Sequence, residues 1–322
     1  MKALVVHALS DDLSGTGLAD VPIPERQPGQ LLVRVRAASL NYPDLLMTRG
    51  AYQLKPSLPF TPGMEMAGEV VEADLGSGFA PGDRVVAGTR VGSFAEFVAI
   101  EQATARGVPD DLSFAEAASV GAAYLTAYVG LVALGRMKAG DWVLVHGASG
   151  GVGLAAVDLA GALGARVIAT SRSPDKLAAL ANLYPIGAML PAPGFRDKVK
   201  RLTGGGAQLI FDPVGGDTFD ESTRCVAFGG KLLVIGFTSG RIATVPTNIP
   251  LIKGFSVMGV RAGEYGRRHP AAGKAAADAV WRLAAERRIR PHVHATYPLA
   301  GWRAAFDDMA AARHIGKLVI EP

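Results

Sequence analysis

With 322 residues, the chain is long enough for two domains, each with its own core. Hydrophobic residues make up 49% of it and charged residues 19%, which excludes a disordered chain. The formal net charge of +4 is only mildly basic, and Arg267, Arg268, Arg287, Arg288 and Arg290 have no interleaved aromatics, so nucleic acid is not an expected partner.

The opening stretch, MKALVVHALSDD, has an apolar run too short and too strand-like for a signal peptide, and the expected compartment is the cytoplasm. From residue 1 to about 99, period-two alternation predicts strands at 2–6, 31–37, 65–72, 83–87 and 94–98. Pro22, Pro24, Pro28-Gly29, Pro62-Gly63 and Pro81-Gly82 punctuate them. Short strands joined by such turns predict a small, partly open β-barrel. Residues 117–135 then carry no charge and are about long enough to span a membrane. They are rich in Ala and Gly, include Ser119, Tyr124, Thr126 and Tyr128, and follow the capping-box pattern Ser113-x-x-Glu116. A single buried helix at the junction of two domains is the expectation.

Next comes the stretch around which the rest is organised. Residues 142–145, WVLV, read as a buried parallel strand, and Gly147, Ala148, Ser149, Gly150, Gly151, Val152 and Gly153 follow before helical spacing begins at Leu154. Gly147, Gly150 and Gly153 stand at G-x-x-G-x-x-G spacing. Missing Cβ atoms there let the backbone turn sharply and let a pyrophosphate approach a helix N-terminus, where unpaired N–H groups and the helix dipole favour an anion. A helix over 154–163, Gly164 and a second strand over 166–170 complete a βαβ unit of roughly 30 residues, the context a dinucleotide fingerprint requires. An NAD site would place an acidic residue about 20 residues past the glycines. Here the second strand runs into Ser171, Arg172 and Ser173, with Lys176 one turn on, and hydroxyls and cations suit a 2′-phosphate. NADP(H) is therefore the expected cofactor.

Strands at 209–212, 231–236 and 256–260 alternate with helices, as a parallel sheet demands. Cys225, the single cysteine, rules out an intramolecular disulfide and a cysteine-based zinc lobe, and reads as a small buried hydrophobe. Helices near 270–286 and 299–312 and a strand at 317–321 lie beyond the last sheet strand and are expected to return to the first domain. The predicted fold is α/β: a barrel-like substrate domain over 1–120 and 261–322, with a doubly wound Rossmann domain inserted over 121–260. Residues 255–260 form an apolar edge strand without gatekeeper charge, expected to pair with its two-fold mate in a homodimer.

A further set of motifs spans essentially the whole chain: Asn41-Tyr42-Pro43-Asp44 followed by Arg49-Gly50-x-Tyr52, Pro62-Gly63-Met64-Glu65-x-x-Gly68, and Leu125-Thr126-Ala127-Tyr128. Beyond the glycine turn come Asp212-Pro213-Val214-Gly215-Gly216, Gly229-Gly230-Lys231 with Gly236-Phe237, and Asn248 before Leu251 and Lys253. In order and spacing these resemble the medium-chain dehydrogenase/reductase superfamily, and within it the zinc-free quinone oxidoreductase, or zeta-crystallin-like, branch. Its barrel is GroES-like. Zinc-dependent relatives carry Gly-His-Glu where this chain has Gly63-Met64-Glu65, so the resemblance implies no metal.

The same resemblance implies that Asn41, Asp44 and Tyr52 lie on the substrate side, near the nicotinamide. An Asn can orient a carbonyl and a Tyr hydroxyl can donate to developing oxyanion charge. Asn41 and Asp44 equally suit a helix N-cap and a first-turn carboxylate. Thr126 would touch the nicotinamide carboxamide, or pack by its methyl. Asp212, Val214, Gly236 and Phe237 fall at carboxyl ends of strands, where ligands sit in an open α/β sheet, and Asn248 would shape the groove or make a plain turn. The chain departs from the branch at Tyr184-Pro185, which fits the spacing of a 2′-phosphate-contacting tyrosine poorly. Arg313 lies near where some relatives supply a cofactor-binding arginine, with a surface role the safer reading.

The implied activity is metal-free hydride transfer from NADPH to a quinone, with Tyr52 or water as proton donor. Reduction of an alkenal or enone C=C bond needs the same donor. The rival from another class is a non-catalytic NADPH-binding protein, crystallin-like or RNA-binding.

Overall fold

Alternating residues near the N-terminus form antiparallel strands, the first two paired in a sheet of their own, in the computed structural model, which describes residues 1–322. The strands are β1 (Lys2–Val6), β2 (Thr16–Asp20), β3 (Gln30–Leu40), β4 (Glu65–Glu72), β5 (Arg84–Gly88), β6 (Phe97–Glu101) and β7 (Arg106–Gly107), with helix α1 (Tyr42–Thr48) after β3. The chain divides into two units, Met1–Ala122 with Pro291–Pro322, and Ala123–Arg290.

In the first unit β14 (Val293–Pro298) and β15 (Lys317–Glu321) join the early strands in one open sheet, ordered β14-β15-β3-β4-β5-β7, while β6 also pairs with β3. Strand β3 is long enough to serve two partners on one edge: residues 30–34 face β6 and residues 38–40 face β15. The sheet curls without closing. Its apolar face, with Leu31, Val33, Phe94, Leu318 and Ile320, is covered by α11 (Trp302–Ala310), whose Phe306 meets the Phe94 ring edge-on at 6.0 Å. Amphipathic spacing places Trp302, Ala305 and Phe306 of α11 on that buried side.

Where one helix is predicted over 117–135, the chain instead forms α2 (Phe114–Ala118), α3 (Gly121–Tyr128) and a π-helical turn, Val129–Leu134. The Ser119 hydroxyl donates to the Ala115 carbonyl and its amide to that of Glu116, which closes α2 early. The wide turn lays Gly130 on the Phe211 ring, where a Cβ would come within 3.2 Å. No helix in the chain is long and apolar enough to cross a membrane.

The second unit holds β8 (Trp142–Val145), α4 (Gly151–Ala162), β9 (Arg166–Ser171), α5 (Pro174–Leu183), β10 (Ala188–Pro191), α6 (Arg196–Thr203), β11 (Ala207–Asp212), α7 (Gly216–Ser222), β12 (Val226–Val234), α8 (Asn248–Lys253), β13 (Ser256–Gly259), α9 (Ala262–Arg268) and α10 (Pro270–Ala285). Its sheet is wholly parallel in the order β10-β9-β8-β11-β12-β13, the doubly wound arrangement, with the strand order reversing between β8 and β11. Strand β12 starts five residues earlier than predicted because the Gly229-Gly230 bulge lets it re-enter the ladder: Ala207 faces Val226 and Leu209 faces Lys231.

One expected boundary is corrected. Residues 261–290, placed with the barrel by the sequence, belong to the second unit. There α10 buries Val280 and Leu283, and the Arg288 guanidinium donates to the carbonyl of Ala162 at the end of α4. Only the chain from Pro291 onward returns to the first sheet.

Candidate functional site

Three apolar residues of β8, Val143, Leu144 and Val145, are fully buried, and the chain turns at Gly147 with φ +54°. A Cβ at Gly147 would meet Val214 Cγ2 at 3.3 Å, so the glycine turn and the loop after β11 lie against each other across the switch point. Helix α4 begins at Gly151 with Gly150 as its N-cap, three residues before the helical spacing shows in sequence. Gly151, Val152 and Gly153 are therefore the first turn, whose N–H groups have no intrahelical acceptor; the first helical bond runs from Leu154 N–H to the Gly150 carbonyl. The glycines differ in purpose. A Cβ on Gly153 would lie 2.2 Å from the Gly147 carbonyl oxygen, so helix packing demands glycine there. At Gly150 a Cβ would meet only the Gly147 carbonyl, at 3.4 Å, so the fold leaves that space open to a ligand.

Two ties fix the turn. The Ala148 amide donates to the Thr170 carbonyl at 3.0 Å, and beneath it the fully buried His146 ring bridges the hydroxyls of Thr170 and Ser222, each at 2.7 Å. Burial holds His146 down at about 3, so it is neutral and serves as a strut between β8, β9 and α7. A histidine in an apolar strand was legible as unusual, but its two partners are remote in sequence.

At the carboxyl end of β9, Ser171 is nearly buried and its hydroxyl accepts from the Ser173 amide, while the Ser173 hydroxyl accepts from the Lys176 amide and caps α5. This geometry sets Arg172, exposed, near Lys176. Burial first, and then the Arg172 guanidinium, push the Lys176 ammonium below its ordinary value. Crowded positive charge at this strand end is what a 2′-phosphate would neutralise.

Asp212 ends β11 with 1% exposure. Its Oδ1 accepts from the amides of Val214 and Gly215 at 2.8 and 3.0 Å, and its Oδ2 has no partner. Burial raises its carboxyl, opposed by those two amides. The loops after β11 and β12 are stitched by Thr238 N–H to the Pro213 carbonyl and Ser239 N–H to that of Val214, and Gly215 makes room for the Phe237 ring. Phe237 itself is 41% exposed. Gly236 and Phe237 thus stand with Val214 beside the glycine turn. Asn248 opens α8 on the surface and makes no hydrogen bond to that turn, and Thr126 is half-buried on α3.

In the first unit Asn41 stands at the N-cap of α1 and Asp44 in its first turn, the positions the sequence allowed beside a substrate role. Asn41 Nδ2 donates to the Ser39 carbonyl at 3.1 Å and to Glu65 Oε1 at 2.9 Å, and its Oδ1 accepts from Lys317 Nζ at 2.7 Å. Both amide hydrogens are spent, leaving none to orient a substrate carbonyl. Asp44 is fully buried; it accepts from the amides of Asn41 and Gly63 at 2.9 and 3.1 Å, clamping the start of α1 to the Pro62-Gly63 turn. Burial pushes it up to about 7 against those two bonds. It touches no surface from which a substrate could be reached. Tyr52 is half-exposed, packed near Met64 and Val91, and its hydroxyl carries no hydrogen bond to the protein.

Sequence reasoning missed Lys317. Its ammonium, almost wholly buried, lies 3.1 Å from Glu65 Oε1, and Glu65 Oε2 accepts from the Ala122 amide at 2.7 Å. The signal was a lysine opening the otherwise apolar run KLVI. No group of three or more His, Cys, Asp or Glu side chains converges as a metal site. Cys225 is buried, as expected, and Arg313 is engaged by Asp308 at 2.6 Å.

Comparison with known proteins bears on both units. Residues 27–110 match the alcohol dehydrogenase GroES-like domain family, and residues 151–279 match the family described as zinc-binding dehydrogenase. Quinone oxidoreductase-like protein 2 of Rattus norvegicus is 34% identical, over 99% of this chain and 91% of that protein. A probable oxidoreductase from Mycobacterium abscessus is 37% identical with TM-score 0.89, over 100% of this chain and 99% of the other. The quinone oxidoreductase from Thermus thermophilus, solved also as its complex with NADPH, is 32% identical with TM-score 0.88 over the full length of both chains. The chain belongs to the quinone oxidoreductase branch of the medium-chain dehydrogenase/reductase superfamily.

Proposed function

We propose that the protein is an NADPH-dependent oxidoreductase that reduces a quinone. The observation that carries this reading is the glycine turn: an open space at Gly150, three first-turn amides without acceptors and, at the end of the next strand, the Arg172 and Lys176 cations. The amides of Gly151, Val152 and Gly153 would bind the pyrophosphate, and Ser171, Arg172 and Lys176 the 2′-phosphate. Thr126, Asp212, Val214, Gly236 and Phe237 would border the rest of the cofactor. NADPH supplies a hydride when bound, and a quinone accepts it together with one solvent proton to become the hydroquinone. Water suffices as the proton source at oxygen.

Reduction of an enone is the second reading, and the free Tyr52 hydroxyl favours it, since a carbon centre needs a positioned donor. Titration with NADPH and NADH, read by nicotinamide fluorescence, followed by turnover of a quinone and an enone, tests both. A preference for NADPH with quinone turnover is expected. Equal binding of the two coenzymes would remove the cofactor assignment, and turnover of neither acceptor the reaction.

Homodimer formation through β13 is part of the same reading. This edge strand exposes Val257, and Phe228, Leu251 and Ile252 nearby are 90%, 80% and 74% exposed. Light scattering at micromolar concentration should give twice the chain mass for the protein and the chain mass for Val257→Lys. A monomer in both samples would end this assignment.

A further inference from the structure

Four residues in the second unit form a polar cluster that the glycine turn does not use, three through their side chains and one through its peptide. Tyr124 on α3 is 1% exposed, Asp158 on α4 is 8% and Tyr184, which ends α5, is 7%. Arg290 is the fourth, at the unit's last position. Asp158 Oδ2 accepts from the Tyr124 hydroxyl and from the Arg290 amide, both at 2.6 Å. The Tyr184 hydroxyl donates to the Arg290 carbonyl at 2.5 Å. The peptide of Arg290 is thus held at its N–H and at its C=O.

The placement matters because of where the chain changes units. It enters the second unit between Ala122 and Ala123 and leaves it between Arg290 and Pro291. Tyr124 lies just inside the entry and Arg290 stands at the exit. One carboxylate oxygen therefore fastens both crossings to α4, the helix whose first turn is the glycine turn. The carboxylate makes both bonds charge-assisted, which the neutral amide oxygen of an asparagine would not.

We propose that Asp158 is a positioning residue that ties the glycine-turn helix to both chain crossings, so that filling the turn stiffens the segments 121–128 and 286–290. The proposal rests on the reading of the turn as a dinucleotide site. The groups facing Asp158 are the hydroxyls of Tyr124 and Tyr184 and the amide and guanidinium of Arg290. Burial raises Asp158 to about 6 against the bonds from Tyr124 and the Arg290 amide and the Arg290 charge. The tie is strongest with the carboxylate ionised and weakens as pH falls through that value.

Hydrogen–deuterium exchange on the full-length protein, Asp158→Asn and Tyr124→Phe, with and without NADPH at pH 5 and 8, tests it. Without ligand at pH 8, exchange at Arg290 should rise about tenfold in Asp158→Asn, the factor expected for one charge-assisted hydrogen bond. NADPH should slow exchange at 151–154 in all three proteins, and at 121–128 and Arg290 only in the parent, more at pH 8 than at pH 5. In kinetics, Tyr124→Phe should lower kcat with little change in KM for NADPH. Unchanged ligand-free exchange at Arg290 in Asp158→Asn overturns the tie. Protection at 151–154 without protection at the crossings overturns the coupling alone, whereas no protection anywhere in the parent overturns the dinucleotide reading and the coupling with it.

Discussion

Replacing Lys317 with methionine keeps most of the side-chain length and removes the ammonium from a site that is 4% exposed. The loss leaves Asn41 Oδ1 without its donor and leaves Glu65, 1% exposed, with a negative charge held only by the Asn41 amide and the Ala122 N–H. Removing one member of a buried pair typically costs about 3–5 kcal/mol. The two remaining neutral donors place Lys317→Met near the lower end, about 3 kcal/mol, or roughly a hundredfold in the unfolding equilibrium. Glu65→Gln on top should return about 2 kcal/mol, because the glutamine carries no orphan charge and can still accept from Ala122. The assay is urea unfolding of the parent, both single variants and the double variant, followed by Trp302 fluorescence with Trp142 and Trp281 replaced by phenylalanine. A cost below about 1 kcal/mol for Lys317→Met, or additive single effects, would refute the view that this pair anchors β15 to β4.

Gly153→Ala should cost about 1–3 kcal/mol in thermal or urea unfolding, because its methyl would overlap the Gly147 carbonyl. Gly150→Ala should leave stability nearly unchanged yet weaken NADPH at least tenfold in a fluorescence titration; undiminished affinity would mean the open space is not the phosphate cradle. Arg172→Ala and Lys176→Ala should each weaken NADPH while leaving NADH affinity as it was, and a parallel loss for both coenzymes would contradict a 2′-phosphate role. For Asp44 the folded carboxyl, near 7, lies above its ordinary 3.8, so the unfolded chain ionises first as pH rises. Stability should therefore fall between about pH 4 and 7, by on the order of 4 kcal/mol from this group, and Asp44→Asn should flatten that slope in urea titrations.

Five of the six parallel strands were legible as short apolar runs between turns. β8 matched residue for residue, as did β1, β4 and β15 in the other unit. The start of α4 was not, because Gly151 and Gly153 are poor helix formers and the helix begins there only through packing against Gly147. Strand β10, Ala188–Pro191, was missed for its proline and brevity, and β14 for an alternation in which half its residues are exposed. In the candidate site, Asn41 and Asp44 were found by motif, with a substrate role and a helix-start role both open. Only the acceptors at Ser39 and Glu65 and the donors at Gly63 and Lys317 reveal that their polar atoms are already engaged, and those partners lie up to 276 residues away.

Strand β15 sits inside its sheet, between β14 and β3, with Leu318 opposite Leu40 and Ile320 opposite Ala38. During synthesis the first unit consequently waits until residue 317 and those after it have been made. At about 10 residues per second the ribosome needs on the order of 20 s to travel from residue 122 to residue 317. Throughout that interval half of one β3 edge lacks its neighbour, while the second unit, contiguous in the message, is free to mature first. Slow codons between residues 122 and 317 would prolong the vulnerable period, and chaperone dependence should track the nascent first unit rather than its partner.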